Sequence, residues 1–335
     1  MEIRGLSALV TGASGFIGGR LAERLATEEG VRVRAMVRRA KKAERLRKLP
    51  LEVVQADLLD VESLREAIDG CDLVFHCAAL VRETGDRDEF YRINVKGTEN
   101  ILNVARDRGV KKFIHFSSVA VYGMNPPDRA DETTPCQPCG NLYCDTKLAA
   151  EKAVWAAHQE ARLPVVVIRP ANVYGPYSNP WTIRPIKLVK SGQMMLINGG
   201  TGLCNYVYID NLLDATLAAT KQDESVGEVY LVSDGMAVIW KEFFGYYAQM
   251  AGKPNIRSVP KWLGKAIALG MEVTSKIGGK PPKLTREAVG FLTRKACFSI
   301  EKARHDLSYQ PRISLEEGMK LTEQWLREAG YLPRV

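Results

Sequence analysis

The run ALVTGASGFIGGRLAERL joins an apolar stretch to a helical pattern through Gly12, Gly15 and Gly18. No other feature constrains the fold so tightly. Glycine permits a tight turn and close backbone approach. The start of the helix that follows offers unpaired N–H groups to a pyrophosphate. A plain strand–turn–helix without ligand is the alternative. The context argues against it, because a strand precedes the glycines and an amphipathic helix follows them, as a dinucleotide loop requires. Ser14, Phe16 and Ile17 complete the loop and the first helical turn, and are assigned with the glycines to cofactor binding.

Residues 1–170 alternate short apolar runs with helical patterns. The predicted strands are SALVTG, VRVRAMV, LEVVQA, DLVFHCA, KKFIHFSS and PVVVIRP, and the predicted helices lie near 16–28, 41–48, 61–68, 88–108 and 142–161. Continuous apolar strands joined by helices imply a parallel sheet covered on both faces. The fold class is therefore α/β, a Rossmann-type doubly wound parallel sheet. Beyond 170 the pattern changes to loops, short strands (NYVYI, EVYLVS) and helices near 211–220, 239–251, 261–276, 284–293 and 315–328. The expected layout is a nucleotide-binding domain at 1–170, with return segments within 205–235, and a smaller C-terminal α/β substrate lobe at 171–335.

The second strand ends in AMVRRAKK. NAD-binding sheets of this kind place an Asp or Glu here for the ribose hydroxyls. This chain offers Arg38 and Arg39 instead, a cationic pair suited to a 2′-phosphate. NADP(H) is favoured, with NAD(H) as the alternative. Asp57 and Leu58 close the third strand at the expected adenine edge, and small Ala78 and Ala79 end the fourth, where a cofactor can lie against the backbone. Asn94, at the start of a long helix, is read as a bridge between strand ends.

Given a nicotinamide site, the stretch FSSVAVYG…LYCDTK acquires chemistry. Reducing a ketone requires a hydride and a proton. Tyr143 and Lys147 lie four apart and share a helix face. A free tyrosine, with a pKa of about 10, holds its proton tightly. A nearby ammonium and an oxidised nicotinamide would lower that pKa. Lys147 can serve Tyr143 and hold the nicotinamide ribose. Ser118, at the carboxyl end of a parallel strand, would donate to the substrate oxygen, at the end where such sheets bind ligands.

Over residues 7–220 the chain resembles the extended short-chain dehydrogenase/reductase family, also described as the NAD-dependent epimerase/dehydratase superfamily. The matching motifs are TGASGFIG, ADL, NVKGTENIL, FSSVAVYG, YCDTK, RPANVYGP and YVYIDN. The resemblance implies catalytic roles for Ser118, Tyr143 and Lys147. It adds Pro170, Asn172 and Val173 to the cofactor site, and implies a homodimer through the 88–108 and 142–161 helices. Family members usually carry Ser before the lysine, where this chain has Thr146.

Two substrate classes compete. NDP-sugar enzymes carry an Arg just before the motif that reads YVYID here; this chain has Leu203, Cys204 and Asn205 in that stretch. A diphosphate without a cationic partner is poorly held, although Arg184 could compensate. The tail from 258 resembles the C-terminal lobe of 3β-hydroxysteroid dehydrogenase-like proteins, and VRAMVRR resembles the dihydroflavonol reductase branch. A secondary alcohol or ketone on an apolar, sterol-, flavonol- or acyl-like substrate is therefore favoured. The alternatives are an NDP-sugar epimerase, dehydratase or reductase and, behind it, a non-catalytic dinucleotide sensor. Sensors commonly lose the Tyr or Lys, and both are present.

The net charge of +8 comes from dispersed basic residues with one cluster at 38–48. A nucleic-acid binder would show a long basic face with interleaved aromatics, so no nucleic-acid partner is expected. MEIRGLSALV runs straight into a strand pattern, and no signal peptide is read there. No run of 18 apolar residues predicts a spanning helix. The amphipathic stretch 260–279 is read as a packing helix, with a weak membrane-surface contact as the alternative. The seven scattered cysteines fit a reducing cytoplasm. Cys136 and Cys139 form a C-x-x-C without a second pair, so no metal is expected.

Overall fold

The computed structural model describes residues 1–82, 84–278 and 282–334. Seven parallel strands form the main sheet. From one edge they run Glu52–Gln55, Arg32–Val37, Ser7–Thr11, Leu73–His76, Lys112–Phe116, Val165–Pro170 and Glu228–Val232. The order reverses between Ser7–Thr11 and Leu73–His76, and the carboxyl ends at such a switch point form a ligand crevice. The first six strands are the six apolar runs. The seventh comes from EVYLVS, so the chain returns to the main sheet after leaving it at Pro170.

Side-chain alternation explains why these strands are continuously apolar. Ala8, Val10, Leu73, Phe75, Ile114, Phe116, Val166 and Ile168 face one buried core. Leu9, Val74, Phe113, Val165 and Val167 face the other. With both faces covered, both period-2 phases are mainly apolar.

Helices Phe16–Thr27, Val61–Ile68, Gly97–Asp107 and Leu142–Ala161 pack around this sheet. The segment expected as a helix over 41–48 forms two short 3-10 turns, Ala40–Ala43 and Leu46–Lys48. It buries little beyond Ala43 and Leu46, too narrow an apolar face to hold a regular helix. The 88–108 pattern is interrupted. A short helix, Arg87–Tyr91, passes through a π-type turn, Arg92–Lys96, into Gly97–Asp107. Such turns collect at functional sites.

Two small sheets lie outside the main one. Asn172–Tyr174, Leu203–Tyr208 and Ala237–Ile239 form a three-stranded sheet, and Met195–Ile197 pairs with Arg257–Val259. Helices Trp240–Met250, Lys261–Gly278, Arg286–Thr293 and Leu315–Glu328 complete this region. Glu301–Leu307 and Arg184–Lys190 are helices the hydrophobic pattern did not announce. Helix Lys261–Gly278 exposes Trp262 (71%), Leu269 (46%) and Val273 (50%); Gly279, which ends the amphipathic stretch read from sequence, lies outside the described residues. Among the described residues no helix is long and apolar enough to cross a membrane.

Candidate active site

The glycine loop is built by close contact. Gly12 has φ +66°, and a Cβ there would fall 2.9 Å from the Ala78 backbone. A Cβ on Gly18 would lie 2.6 Å from the Gly12 carbonyl oxygen. These two glycines lock the loop to the fourth strand's end and to the first helix. Gly15 is the exposed N-cap of that helix and no side chain caps it, which leaves its first turn open to an anion. Ser14 is exposed, and Phe16 and Ile17 are half-buried beside it. The Ala78 N–H donates to Thr11 Oγ1 at 3.1 Å, and Ala79 stays half-buried at the crevice.

Around the adenine end, Arg38 and Arg39 are exposed just beyond the second strand, and neither forms an ion pair or hydrogen bond with a described residue. Asp57 Oδ1 accepts from the Leu59 N–H at 3.0 Å. The Leu58 side chain is buried in the core and its carbonyl takes Asn100 Nδ2 at 2.9 Å, so Leu58 can offer only backbone to a ligand. Pro170, Asn172 and Val173 are buried at the end of the sixth strand.

Ser117 and Ser118 point opposite ways. Ser117 Oγ binds Glu151, which also pairs with buried Arg169, and Arg169 Nη1 reaches the Tyr122 hydroxyl at 2.9 Å. Ser118 is half-buried at the head of the turn Val119–Tyr122. Its oxygen accepts from the Ala120 N–H at 3.1 Å, and its hydroxyl stands beside the Tyr143 phenol. Asn141 caps helix Leu142–Ala161, accepting from the Tyr143 and Cys144 N–H groups, so Tyr143 stands in the first turn, where the helix meets the crevice.

Lys147, four residues on, is buried and donates to the Phe116 carbonyl at 2.5 Å. Burial pulls its ammonium down to about 8, with the Glu151 charge opposing. Without the charge of an oxidised nicotinamide, burial pushes the Tyr143 phenol up to about 12, with Ser118 beside it opposing, and the Lys147 ammonium donates to the Phe116 carbonyl. The phenol stays protonated at neutral pH, the form that ketone reduction consumes.

Asn94 does more than bridge strand ends. Its Oδ1 accepts from the Leu80 N–H at 2.6 Å, and its Nδ2 donates to the Leu80 carbonyl and, at 3.0 Å, to Thr146 Oγ1. Thr146 is fully buried and passes its own proton to the Leu142 carbonyl at 2.6 Å. The π-type turn at 92–96 thus anchors the Tyr–Lys helix. Beneath lies a buried histidine pair. His76 bridges Thr11 and Thr98, and stacks on His115 at 5.5 Å. No local pattern announces these ties, which join residues far apart along the chain.

On the substrate side, the stretch Leu203, Cys204 and Asn205 forms a strand packed against the segment after helix Arg286–Thr293. Arg184, the proposed compensating cation, donates to the Lys283 carbonyl at 3.1 Å.

Comparison with known proteins agrees with this geometry. Residues 8–233 match the NAD dependent epimerase/dehydratase family. The chain is 30% identical over 332 residues to a 4-hydroxy-2-methyl-3-oxo-4-farnesyl-3,4-dihydroquinoline-1-oxide ketoreductase of Stigmatella aurantiaca, covering 97% of each chain. It is 29% identical over 329 residues to a 2-alkyl-3-oxoalkanoate reductase of Shewanella oneidensis, covering 93% of this chain and 84% of that one. A 3-beta-hydroxysteroid dehydrogenase of Mycolicibacterium neoaurum is 29% identical over 327 residues, covering 93% of this chain and 88% of that one. The solved UDP-glucuronic acid 4-epimerase of Bacillus cereus, in complex with UDP-glucuronic acid and NAD, superposes with a TM-score of 0.79 at 22% identity, covering 97% of this chain and all of that one; at that identity the likeness shows the fold. A glycine-locked crevice, a doubly wound sheet and these relatives lead to one conclusion: the chain belongs to the NAD dependent epimerase/dehydratase family and is an NAD-dependent enzyme of the extended short-chain dehydrogenase/reductase type.

Proposed function

We propose that this enzyme interconverts a ketone and a secondary alcohol on an apolar substrate, with Ser118, Tyr143 and Lys147 as its catalytic residues. The observation that carries the reading is the placement of Tyr143 in the first turn of helix Leu142–Ala161, with its phenol beside Ser118 and Lys147 one turn further on. The nicotinamide supplies the hydride. Ser118 donates to the substrate carbonyl and orients it. Tyr143 gives its proton to the developing alkoxide, a general-acid role. Lys147 provides the cation that steadies the resulting phenolate, and is placed to hold the nicotinamide ribose.

Gly12, Gly15 and Gly18 with the first helical turn would hold the pyrophosphate. Asp57, Leu58, Ala78, Ala79, Pro170, Asn172 and Val173 would line the crevice. Arg38 and Arg39 favour NADP(H) over NAD(H), because two unpaired guanidinium groups are where a 2′-phosphate would lie. The apolar substrate follows the names of the relatives, a farnesyl-quinoline oxide ketoreductase, an oxoalkanoate reductase and a hydroxysteroid dehydrogenase. The sugar reading rests on fold likeness alone, and the strand that should carry its arginine has Cys204 and Asn205.

A cytoplasmic homodimer completes the reading. It rests on seven free cysteines, and on the family's use of the two helices that flank this site. The exposed Trp262, Leu269 and Val273 favour at most a transient membrane-surface contact.

The test is NADPH consumption, followed by its absorbance, with a panel of apolar ketones. Turnover of at least one is expected, with no thermal stabilisation by millimolar UDP. Stabilisation by UDP together with no ketone turnover would move the enzyme to the sugar class.

A further inference from the structure

Arg294 is a charge beside the site that the mechanism leaves unemployed. It follows helix Arg286–Thr293 on a segment stitched to the strand Leu203–Tyr208. The Leu203 N–H donates to the Arg294 carbonyl at 2.8 Å. Asn205 Nδ2 donates to the Ala296 carbonyl at 2.9 Å, and the Phe298 N–H donates to Asn205 Oδ1 at 3.1 Å. Gly202 lets the backbones meet, since a Cβ there would fall 2.2 Å from the Leu292 carbonyl oxygen. The arginine is therefore carried on a fixed support.

Its guanidinium lies 4.3 Å from the Phe291 ring centre and 5.6 Å from that of Phe298. Nε is buried without a hydrogen-bond partner. Among the described residues Arg294 forms no ion pair and no side-chain hydrogen bond. Arg169 shows the contrast, since its buried guanidinium is met by Glu151. A half-buried cation whose Nε is covered without a partner carries a desolvation cost, and the Phe291 and Phe298 rings offset only part of it.

Arg294 sits on the segment paired with strand Leu203–Tyr208, and helix Arg286–Thr293 just before it meets the head of the Tyr143 helix, where Asn141 Nδ2 donates to Glu287 at 2.6 Å. Cys144 follows Tyr143 in the helix, and Cys204 Sγ accepts from Asn172 Nδ2 at 3.8 Å. We propose that Arg294 binds a carboxylate on the substrate, so that the enzyme acts on apolar oxo acids. The inference rests on the ketone reading and narrows it. The planar fork of one guanidinium matches one carboxylate. A diphosphate would call for further cations, and the facing strand offers Leu203, Cys204 and Asn205.

The test uses 3-oxododecanoate, its methyl ester and undecan-2-one with wild type, Arg294→Gln and Arg294→Lys. Wild type should prefer the acid over the ester by at least about tenfold in kcat/KM, the size of one charged hydrogen bond. Arg294→Gln should erase that preference through KM, and Arg294→Lys should restore part of it. Equal turnover of acid and ester by wild type, or an unchanged preference in Arg294→Gln, overturns the proposal.

A second readout separates this inference from the ketone reading. With NADP⁺ bound, dodecanoate but not dodecan-1-ol should raise the melting temperature of wild type, and dodecanoate should lose that effect in Arg294→Gln. If no ketone is turned over but this difference appears, the ketone reading fails and carboxylate recognition stands. No stabilisation by dodecanoate, or stabilisation by UDP that depends on Arg294, overturns it. Should Arg294→Gln fail to fold, Arg294→Lys and the wild-type comparisons still decide.

Discussion

The two halves of the crevice are made differently. The half proposed for the cofactor comes from the ends of neighbouring parallel strands, at 12–18, 38–39, 57–58 and 78–79. Each contribution is local, and much of it is backbone or small residue. The substrate half joins segments far apart in the chain, 141–147, 202–206 and 286–298. Side-chain ties hold it together, Asn205 to 296–298 and Asn141 Nδ2 to Glu287 at 2.6 Å. A backbone cradle recognises shape and tolerates few added atoms. A wall of side chains can change its ligand by one substitution while the cradle stays intact. Helix Leu142–Ala161 belongs to both halves, and substitutions along it test how far they are independent.

The largest effect is expected at Tyr143. Tyr143→Phe removes the proton donor and leaves the cradle untouched. Turnover should fall by ~10²–10⁴-fold, with the NADPH dissociation constant nearly unchanged in a fluorescence titration. More than about a tenth of wild-type kcat would take Tyr143 out of the acid role. A matching loss of cofactor affinity would show that the halves are not separable at this residue.

Next comes the support beneath the strand end. Glu151→Ala would leave Arg169 buried and uncompensated, since both side chains are almost fully covered. Breaking such a pair costs about 3–5 kcal/mol, and Glu151→Gln should cost less because it keeps a hydrogen-bond acceptor. Urea unfolding measures both. A loss under ~1 kcal/mol in Glu151→Ala would mean that the strand end carrying Ser117 and Ser118 is held by packing alone.

This contrast also explains what could be read beforehand. The central N-terminal strands announced themselves because they are buried on both faces, whereas the edge strand Glu52–Gln55 is half-exposed. Tyr143 and Lys147 were legible because one helix fixes their spacing. The helix expected at 41–48 was misread because cationic residues spaced like a helix still need an apolar face wide enough to pack. Local sequence shows the lysine near Tyr143 but not the burial that raises its phenol, nor the Phe116 carbonyl that the lysine engages. The tie from Asn94 to Thr146 and the setting of Arg294 were illegible in a stronger sense. The partners of Asn94 lie at 80 and 146, and those of the 294–298 segment at 203–205, so their roles arise only once the fold brings them together.

Within the cofactor half, Arg38 offers a smaller test. Arg38→Ala should weaken NADPH binding by about tenfold, one surviving charged contact at the lower end of its range. NADH affinity should scarcely move. Dissociation constants at one fixed ionic strength measure this for both cofactors. Equal affinity of the wild type for NADH and NADPH would remove the 2′-phosphate role from this edge and make NAD the default.

The smallest effect is expected at Thr146, where this chain departs from the serine usual before the lysine. The threonine hydroxyl accepts from Asn94 and donates to the Leu142 carbonyl, at 3.0 and 2.6 Å. Thr146→Ser keeps both bonds and loses one fully buried methyl, worth about 1 kcal/mol of stability. Turnover should stay within about threefold of wild type. Thr146→Val keeps the volume and deletes the hydroxyl. Asn94 Nδ2 then retains only the Leu80 carbonyl, and losing one partner of a buried hydrogen bond costs about 1–3 kcal/mol. If Asn94 positions the helix through Thr146, Thr146→Val should lower kcat more than Thr146→Ser, with the KM for NADPH unchanged in both. Equal kcat in the two variants would show that the π-type turn holds the helix by packing, and that the hydroxyl serves stability alone.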